Sequence, residues 1–319
     1  MVVSPIAVSL EDKPCLCGAV GQDNLLFTAS DTLHGLSGKF DVVRCRNCGL
    51  IRTNPRPDQA SMGFYYPDNY GPYLGTQIRS SSRLRRTLRF VYAQLFSTHS
   101  QKIPKLDPGR ALEVGCASGS FLAKLTNDGW RVEGIEFSAK ASQLARDAGF
   151  AVHTGGLEEI QLEDFKKYDL IVGWMVFEHL HDPIGALDKF SQWLADDGVL
   201  VLSVPDAAGG DFAAFQASGY ALQVPTHLYH YTPQTLTALL ARNGWHVERI
   251  LHHRTVANWL AGLGIWLGSK SVLPGLAKYL RSFPERFDML TICLHPLAVI
   301  LAAIGKTGRM TVWARKVRP

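Results

Sequence analysis

The stretch that most constrains the fold of this chain is Ala111 to Phe121, ALEVGCASGSF. Its apolar start is typical of a buried parallel strand, and the residues after Gly119 place apolar side chains on one helical face. Between them, Gly115 and Gly119 predict a tight turn in which the backbone can approach a ligand closely. A strand, a glycine turn and the unpaired N–H groups of a helix N-terminus predict an α/β fold with a binding site at this turn.

The residues around the turn narrow the choice of ligand. A dinucleotide fingerprint needs glycine at positions 117 and 120, where Ala117 and Ser120 stand instead. A carboxylate inside the strand, Glu113, suits a cationic ligand, and Glu136 at the end of the next apolar strand suits a ribose diol. These residues predict an adenosine that carries a positively charged tail. Alanine is expected to be tolerated at position 117 with a negative φ angle.

From about residue 106 to residue 254, and again in its last strand, the chain resembles the class I S-adenosylmethionine-dependent methyltransferases. YDLIVGWMVFEHLHDP matches the fourth strand and its following loop, and GVLVLSVPD matches the fifth strand. The resemblance implies a Rossmann-like, doubly wound, mostly parallel seven-stranded sheet that ends in an antiparallel pair. It also implies an acid near the methionine amino group at Glu113, a ribose-binding acid at Glu136 and an adenine contact at Phe137. The predicted cofactor-binding residues are Glu113, Gly115, Cys116, Gly119, Glu136, Phe137, Leu157 and Trp174.

Histidines are concentrated after two of the predicted strands. His179 and His181 follow the fourth strand, and His227 lies in VPTHLYHYTP. In an open α/β sheet the ligand lies beyond the carboxyl ends of the strands, and histidine can accept a proton near neutral pH. We therefore predict His179, His181 and His227 as catalytic residues. The alternatives are that these histidines only line or pack the pocket, and that Asp182 serves to cap the following helix.

The loop after the fourth strand also bears on metal catalysis. Ubiquinone-pathway O-methyltransferases carry a similar loop with an additional acid upstream, which is associated with a divalent cation. Trp174 and Met175 stand at that place here. A catalytic metal is therefore not expected in this chain.

Four cysteines form two close pairs near the N-terminus, Cys15 with Cys17 and Cys45 with Cys48. The second pair, in CRNCG, has the spacing of a zinc knuckle, whereas the first is C-x-C instead of the commoner C-x-x-C. We predict a closed structural zinc site of four thiolates, with disulfides or unrelated thiols as the alternatives. Similar zinc-binding segments precede methyltransferase domains in bacterial sugar and natural-product tailoring enzymes.

Changes in composition divide the chain into five parts. A helical pattern with several arginines covers Arg79 to Phe96, and the aromatic-rich segment before it is expected to pack on the core or to form a lid. The stretch from Val256 to Lys306 is hydrophobic and is predicted to be a helical insertion that lies on a membrane surface or packs on a second copy. The predicted parts are a zinc-ribbon-like segment (1–58), a linker or lid (59–105), a methyltransferase core (106–254), the insertion (255–306) and the last strand (307–319).

Composition limits the partners of the chain. Its 319 residues carry a net charge of +5, and no long run of Lys and Arg indicates a nucleic-acid partner. The first residues, MVVSPIAVSLEDKP, lack the pattern of a secretory signal, so a cytoplasmic protein is expected, with membrane association through the insertion as the open alternative.

The predicted function is methyl transfer from S-adenosylmethionine to a small or carrier-linked hydroxylated substrate, such as a sugar nucleotide or a natural-product intermediate. A histidine is expected to assist this transfer. One rival is an NAD-dependent oxidoreductase. The other is a non-catalytic zinc-ribbon binding module that has kept a methyltransferase scaffold.

Overall fold

The computed structural model describes residues 8–66, 98–162, 167–285 and 289–317. The predicted basic helix from Arg79 to Phe96, and Tyr70 and Tyr73 of the aromatic segment, lie outside the described residues.

The N-terminal unit is a small antiparallel sheet. Its strands are β1 (Leu10–Glu11), β2 (Asp23–Ala29), β3 (Phe40–Cys45), β4 (Ile51–Thr53) and β5 (Arg56–Pro57). Strands β2, β3 and β4 pair in sequence, and β1 pairs with β5. A short helix, α1 (Gln59–Met62), follows, and the carboxylate of Asp58 caps it by accepting a hydrogen bond from the Ser61 amide.

The core sheet has seven strands within the described residues. They are β6 (Arg110–Val114), β7 (Arg131–Glu136), β8 (Ala151–Thr154), β9 (Tyr168–Trp174), β10 (Leu194–Pro205), β12 (Trp245–His252) and β13 (Arg309–Lys316). Their spatial order is β12-β13-β10-β9-β6-β7-β8, and β13 alone runs antiparallel to its neighbours. The predicted doubly wound, mostly parallel sheet with a terminal antiparallel pair is confirmed.

Helices cover both faces of this sheet, so its strands are apolar on both sides. Ala111, Leu170 and Val199 contribute to one buried cluster, whereas their neighbours along each strand contribute to the other. The helices of the core are α2 (Ser120–Asn127), α3 (Ala139–Asp147), α4 (Pro183–Trp193), α5 (Gly210–Phe215) and α6 (Pro233–Arg242). Asp182 caps α4 by accepting a hydrogen bond from the Gly185 amide, which is the role that the sequence offered as an alternative for this residue.

The remaining strand, β11 (Tyr229–His230), leaves the core and joins the N-terminal sheet. It pairs antiparallel with β4. Thr53 extends this connection, because its amide donates to the Leu228 carbonyl (3.0 Å) and its hydroxyl donates to the His227 carbonyl (2.8 Å). The N-terminal unit is thereby fixed to the loop that carries His227.

The insertion before the last strand is helical, as predicted. It contains α7 (Ala257–Ser269), α8 (Pro274–Arg281), α9 (Met289–Cys293) and α10 (His295–Ala303). Helices α7 and α8 approach closely at Gly264, where a Cβ atom would lie 2.5 Å from the Arg281 amide nitrogen. Among the described residues, no helix combines the length and the apolar character needed to cross a membrane.

Candidate active site

The glycine turn lies between β6 and α2, beside the point where the chain order of the sheet reverses. Strand β6 has β7 on one side and β9 on the other, so the carboxyl ends of β6 and β9 border the crevice where ligands bind in such sheets. Gly115 has a φ of +73°, and a Cβ atom there would lie 2.3 Å from Val176 Cγ2. Glycine therefore lets the turn approach the loop after β9.

Ala117 corrects one expectation from the sequence. Its φ is +47°, in the left-handed region, and not negative. This conformation costs an alanine roughly 1–2 kcal/mol, but it directs the Ala117 amide to Glu136 Oε2 at 2.8 Å. The hydrogen bond to a buried carboxylate offsets the strain and joins the turn to the end of β7.

Glu136 is the acid best placed to bind a ligand. It is 5% exposed and lines the large cavity above the sheet. Its two oxygens accept hydrogen bonds from the Ala117 and Ser138 amides, each at 2.8 Å, and burial raises the pKa of its carboxyl group. The Phe137 amide also bonds this carboxylate, and since two carboxylate oxygens offer about four acceptor positions, one remains for a ribose hydroxyl.

Glu113 lies deeper than Glu136. It is 3% exposed, its Oε2 has no hydrogen-bond partner, and the Leu122 amide donates to its carboxylate. Burial, and then the charge of Glu136, raise the pKa of Glu113 well above its ordinary value. An unpartnered buried acceptor is costly without a compensating group, so Glu113 fits the predicted cationic end of the ligand.

The cavity at these strand ends has a volume of about 240 Å³ and is open to solvent. Of the predicted cofactor residues, the cavity wall includes Gly115, Glu136, Phe137, Leu157 and Trp174.

The other three predicted cofactor residues lie behind this wall. Glu113 is the buried acid described above. The Cys116 thiol packs close to Gly134, and Gly119, with a φ of +85°, begins α2 against the Phe150 ring.

Two of the three predicted catalytic histidines line the cavity, His179 and His181. His179 Nδ1 donates to the Thr226 carbonyl at 2.9 Å, and the Tyr66 hydroxyl lies 2.9 Å from the same nitrogen. This arrangement leaves Nε2 of His179 as its proton acceptor. Burial lowers the pKa of His179 to about 4, so the ring is neutral at physiological pH.

His181 is held by the N-terminal unit. Its Nε2 donates to the Pro57 carbonyl at 3.1 Å, and Arg56 donates to the His181 carbonyl. Burial lowers the pKa of this histidine as well. The N-terminal unit therefore fixes the ring and the backbone of one wall of the cavity.

The structure places His227 one layer behind the cavity wall. It is 1% exposed, and its ring meets the His179 ring edge to face at a centroid distance of 4.6 Å. Its Nδ1 donates to the Ala221 carbonyl at 2.8 Å, and its Nε2 lies 3.9 Å from Glu178 Oε1. Because it is covered by its neighbours, His227 has no direct access to a substrate in this structure.

Glu178 completes a buried cluster with the two histidines. It is fully buried, and neither of its carboxylate oxygens has a hydrogen-bond partner. One donor atom from each of Glu178, His179 and His227 lies within 4.8 Å of the other two, a grouping that could hold a proton or a metal ion. Burial raises the pKa of Glu178 to about 8, so its carboxyl group keeps a proton at neutral pH.

The pKa of Glu178 predicts a pH-dependent effect of the Glu178→Gln substitution. The folded-state pKa of about 8 exceeds the ordinary 4.5, so wild-type stability from this group is lost as pH rises from 4.5 to 8. Glutamine does not titrate. We therefore expect the unfolding free energy of Glu178→Gln, relative to wild type, to rise by about 3 kcal/mol between pH 5 and pH 8. Urea unfolding at both pH values measures this change, and a constant difference would show that Glu178 is ionised in the folded protein.

The four N-terminal cysteines converge as predicted. Their sulfur atoms all lie within 4.8 Å of one another, with Cys15 to Cys48 at 3.5 Å and Cys17 to Cys45 at 3.8 Å. Thiolates at the usual 2.3 Å from a tetrahedral zinc ion stand about 3.8 Å apart. Three backbone amides also donate to these sulfurs, which stabilises thiolates. The Cys17 amide donates to Cys15, the Ala19 amide to Cys17 and the Leu50 amide to Cys48. The donor set and its geometry fit a zinc ion.

Tyr66 and Glu178 were not among the residues predicted for the site. Tyr66 belongs to the aromatic segment, in which the neighbouring Tyr65 is buried and donates to the Ser37 carbonyl instead, and no local signal separates the two. Glu178 lies in the sequence beside His179, but its burial depends on the return of the chain at Leu228, whose amide donates to the Glu178 carbonyl.

Comparison with known proteins agrees with this architecture. The methyltransferase-domain family matches residues 83–250, slightly more than half of the chain. A malonyl-[acyl-carrier protein] O-methyltransferase from Acetivibrio thermocellus is 33% identical over 99 residues, which cover 29% of this chain and 34% of the relative. A ubiquinone biosynthesis O-methyltransferase from Haemophilus ducreyi is 27% identical over 130 residues, which cover 38% and 52%. The chain thus spans between a third and a half of the length of these relatives.

Among solved structures, an S-adenosylmethionine-dependent methyltransferase from Mesorhizobium loti has a TM-score of 0.43 at 16% identity, over 67% of this chain and 94% of that one. At this TM-score the likeness adds no independent weight to the assignment. The assignment depends on the family match and on the order of motifs along the core sheet. The chain belongs to the methyltransferase-domain family.

Proposed function

We propose that this enzyme methylates a hydroxyl group of a small or carrier-linked acceptor, such as a sugar nucleotide or a natural-product intermediate. One observation supports this proposal above the others. Glu136 and Phe137 of the predicted cofactor site share a single cavity with His179 and Tyr66. A methyl donor and a hydroxyl acceptor can therefore meet beside a neutral histidine.

One end of the cavity is proposed to bind the methyl donor and the other end the acceptor. S-adenosylmethionine, when bound, supplies a methyl group on a positively charged sulfur. Glu136 accepts hydrogen bonds from the ribose, Phe137 offers an apolar surface to the base, and Glu113 balances the positive end. Positioning of this kind lowers the barrier, because the two reactants are held in a reactive geometry before the transfer.

His179 is proposed to accept the proton of the acceptor hydroxyl at Nε2. Its low pKa keeps this nitrogen unprotonated before the reaction. Glu178 and His227 lie directly behind it, with donor atoms within 4.8 Å of its own, and pack against the ring that receives the proton. The hydrogen bond from Nδ1 to the Thr226 carbonyl holds the ring in this orientation.

The acceptor end is walled by the N-terminal unit, through Gln59, Met62, Gly63 and Tyr66. This wall supports a role for the unit in substrate selection. One relative is named for a malonyl group on an acyl carrier protein, which supports a carrier-linked acceptor for this chain. We propose that zinc at Cys15, Cys17, Cys45 and Cys48 holds the unit in its shape and takes no part in the transfer.

Glu136→Ala is expected to weaken the binding of S-adenosylmethionine by roughly 10- to 150-fold. A charge-assisted hydrogen bond contributes ~1.5–3 kcal/mol, and the ribose diol would lose its carboxylate acceptor. Titration calorimetry with S-adenosylmethionine measures the change.

Glu136 also accepts hydrogen bonds from backbone amides, so its loss could disturb the turn. Glu136→Gln is the matched variant, because it keeps one acceptor oxygen and should give an intermediate affinity. Thermal unfolding of both variants shows whether the turn is still folded. Unchanged affinity in a folded Glu136→Ala protein would show that Glu136 does not bind the ribose.

A further inference from the structure

The tip of the hairpin between α7 and α8 exposes an unusual group of apolar side chains. Val272 is 46% exposed, Leu273 60% and Leu276 44%, and Trp266 on the last turns of α7 is 43% exposed. Every residue from Gly268 to Leu276 is exposed. The apolar side chains therefore stand on a projecting tip and not in a groove.

Leu273 is unfavourable at this tip for two separate reasons. Its side chain is in water, and its φ of +47° lies in the left-handed region, where a bulky residue is an outlier. Glycine or asparagine would meet the backbone requirement at lower cost. A leucine at this position is explained if its side chain is buried in an apolar environment when the protein is bound to a partner.

The hairpin that carries the tip is firmly packed. Leu267, Ala277 and Leu280 form a buried cluster between α7 and α8, and Gly264 lets the two helices approach closely. At the base of the hairpin, Arg281 donates to the carbonyl of Leu33 at 2.9 Å. The tip is thus held away from the core by a rigid support.

Charge around the tip has one sign. The sequence has no Asp or Glu from Arg249 to Pro284, whereas Lys270 and Lys278 are exposed on either side of the apolar residues. Neither lysine forms an ion pair within the part of the chain that the structure describes. Apolar side chains flanked by exposed lysines match the boundary between headgroups and acyl chains of an anionic bilayer.

We propose that Val272, Leu273 and Leu276 insert into the interfacial layer of an anionic membrane while Lys270 and Lys278 contact the lipid headgroups. A second copy of the chain fits this surface less well. A two-fold dimer places each patch against itself, which would bring the lysines of one tip towards those of the other. With an anionic lipid surface, by contrast, the same lysines are attracted to the headgroups.

Flotation with vesicles of phosphatidylcholine and phosphatidylglycerol, compared with phosphatidylcholine alone, tests this proposal. Wild-type protein should bind the mixed vesicles, and added salt should weaken the binding. Leu273→Asn should lower the apparent affinity about tenfold or more while leaving the thermal midpoint unchanged or raising it. The pair Lys270→Glu and Lys278→Glu should lower the affinity at least tenfold.

Val20→Ser and Lys39→Glu are the matched controls, because they remove an exposed apolar group and an exposed charge outside the hairpin. Both should bind vesicles like wild type. Equal binding by wild type and the tip variants would overturn the proposal, as would a wild-type protein that ignores anionic vesicles. A concentration-dependent dimer in sedimentation that Leu273→Asn abolishes, without vesicle binding, would assign the tip to a second copy.

Discussion

Replacing His179 by alanine is expected to lower kcat by ~10²–10⁴ while leaving the affinity for S-adenosylmethionine nearly unchanged. A loss of this size is typical of a missing general base. His179 lines the cavity, is neutral because burial lowers its pKa to about 4, and is oriented by the Thr226 carbonyl. The assay follows release of S-adenosylhomocysteine with hydroxylated acceptors, and calorimetry follows binding of the methyl donor.

The control for this experiment is His246→Ala, which removes an exposed histidine on β12 and should leave kcat unchanged. His227→Ala should also lower kcat, but through loss of the ring packing behind His179. Since His181 also lines the cavity, His181→Ala belongs to the same series. If none of the His179, His181 and His227 variants slows the reaction tenfold, catalysis depends on positioning alone and the base assignment is wrong.

Cys48→Ser is expected to abolish the binding of one zinc ion per chain and to lower the unfolding free energy by at least about 3 kcal/mol. Structural zinc sites in small units contribute ~10–16 kcal/mol of apparent binding free energy, so the loss of one ligand is costly. Metal analysis of reduced protein purified without chelator measures the zinc, and urea unfolding measures the stability.

Cys293→Ser is the matched control, because Cys293 is exposed and lies outside the cluster. It should keep the zinc content and stability of wild type. A zinc content near zero in reduced wild-type protein would contradict the assignment.

Loss of zinc should also reach the acceptor end of the cavity. Strand β4 pairs with β11, Thr53 bonds the His227 carbonyl, and His181 donates to Pro57, so the N-terminal unit and the histidine loops share hydrogen bonds. We expect Cys48→Ser to raise KM for the acceptor more than it changes the affinity for S-adenosylmethionine. An equal effect on the acceptor KM and on the affinity for S-adenosylmethionine would show that the N-terminal unit only stabilises the fold.

The sequence was sufficient for the core sheet because its signals are local. An apolar strand, Gly115, Gly119 and the following helical pattern lie within one stretch of chain, and each strand of the core repeats an apolar run of this kind. The last strand was also located correctly across a long insertion, because the resemblance implied an antiparallel pair at the end of the fold. Membership of the methyltransferase-domain family contradicts the rival oxidoreductase interpretation.

Contacts between distant parts of the chain could not be predicted in the same way. The antiparallel pairing of Tyr229 and His230 with β4 joins residues far apart in sequence, and it is this pairing that places His227 behind the cavity wall. The positive φ of Ala117 follows from the position of Glu136, which no local pattern reports. Tyr66 likewise reaches His179 only after the N-terminal unit has docked.

Isothermal titration calorimetry of the wild-type protein with S-adenosylmethionine measures whether the cavity at the ends of β6 and β7, with Glu136 at its wall, holds this methyl donor. We predict one binding site per chain for S-adenosylmethionine, and no heat of binding with NAD. Binding of NAD, or the absence of a binding isotherm with S-adenosylmethionine in folded protein, would contradict this account of the cavity.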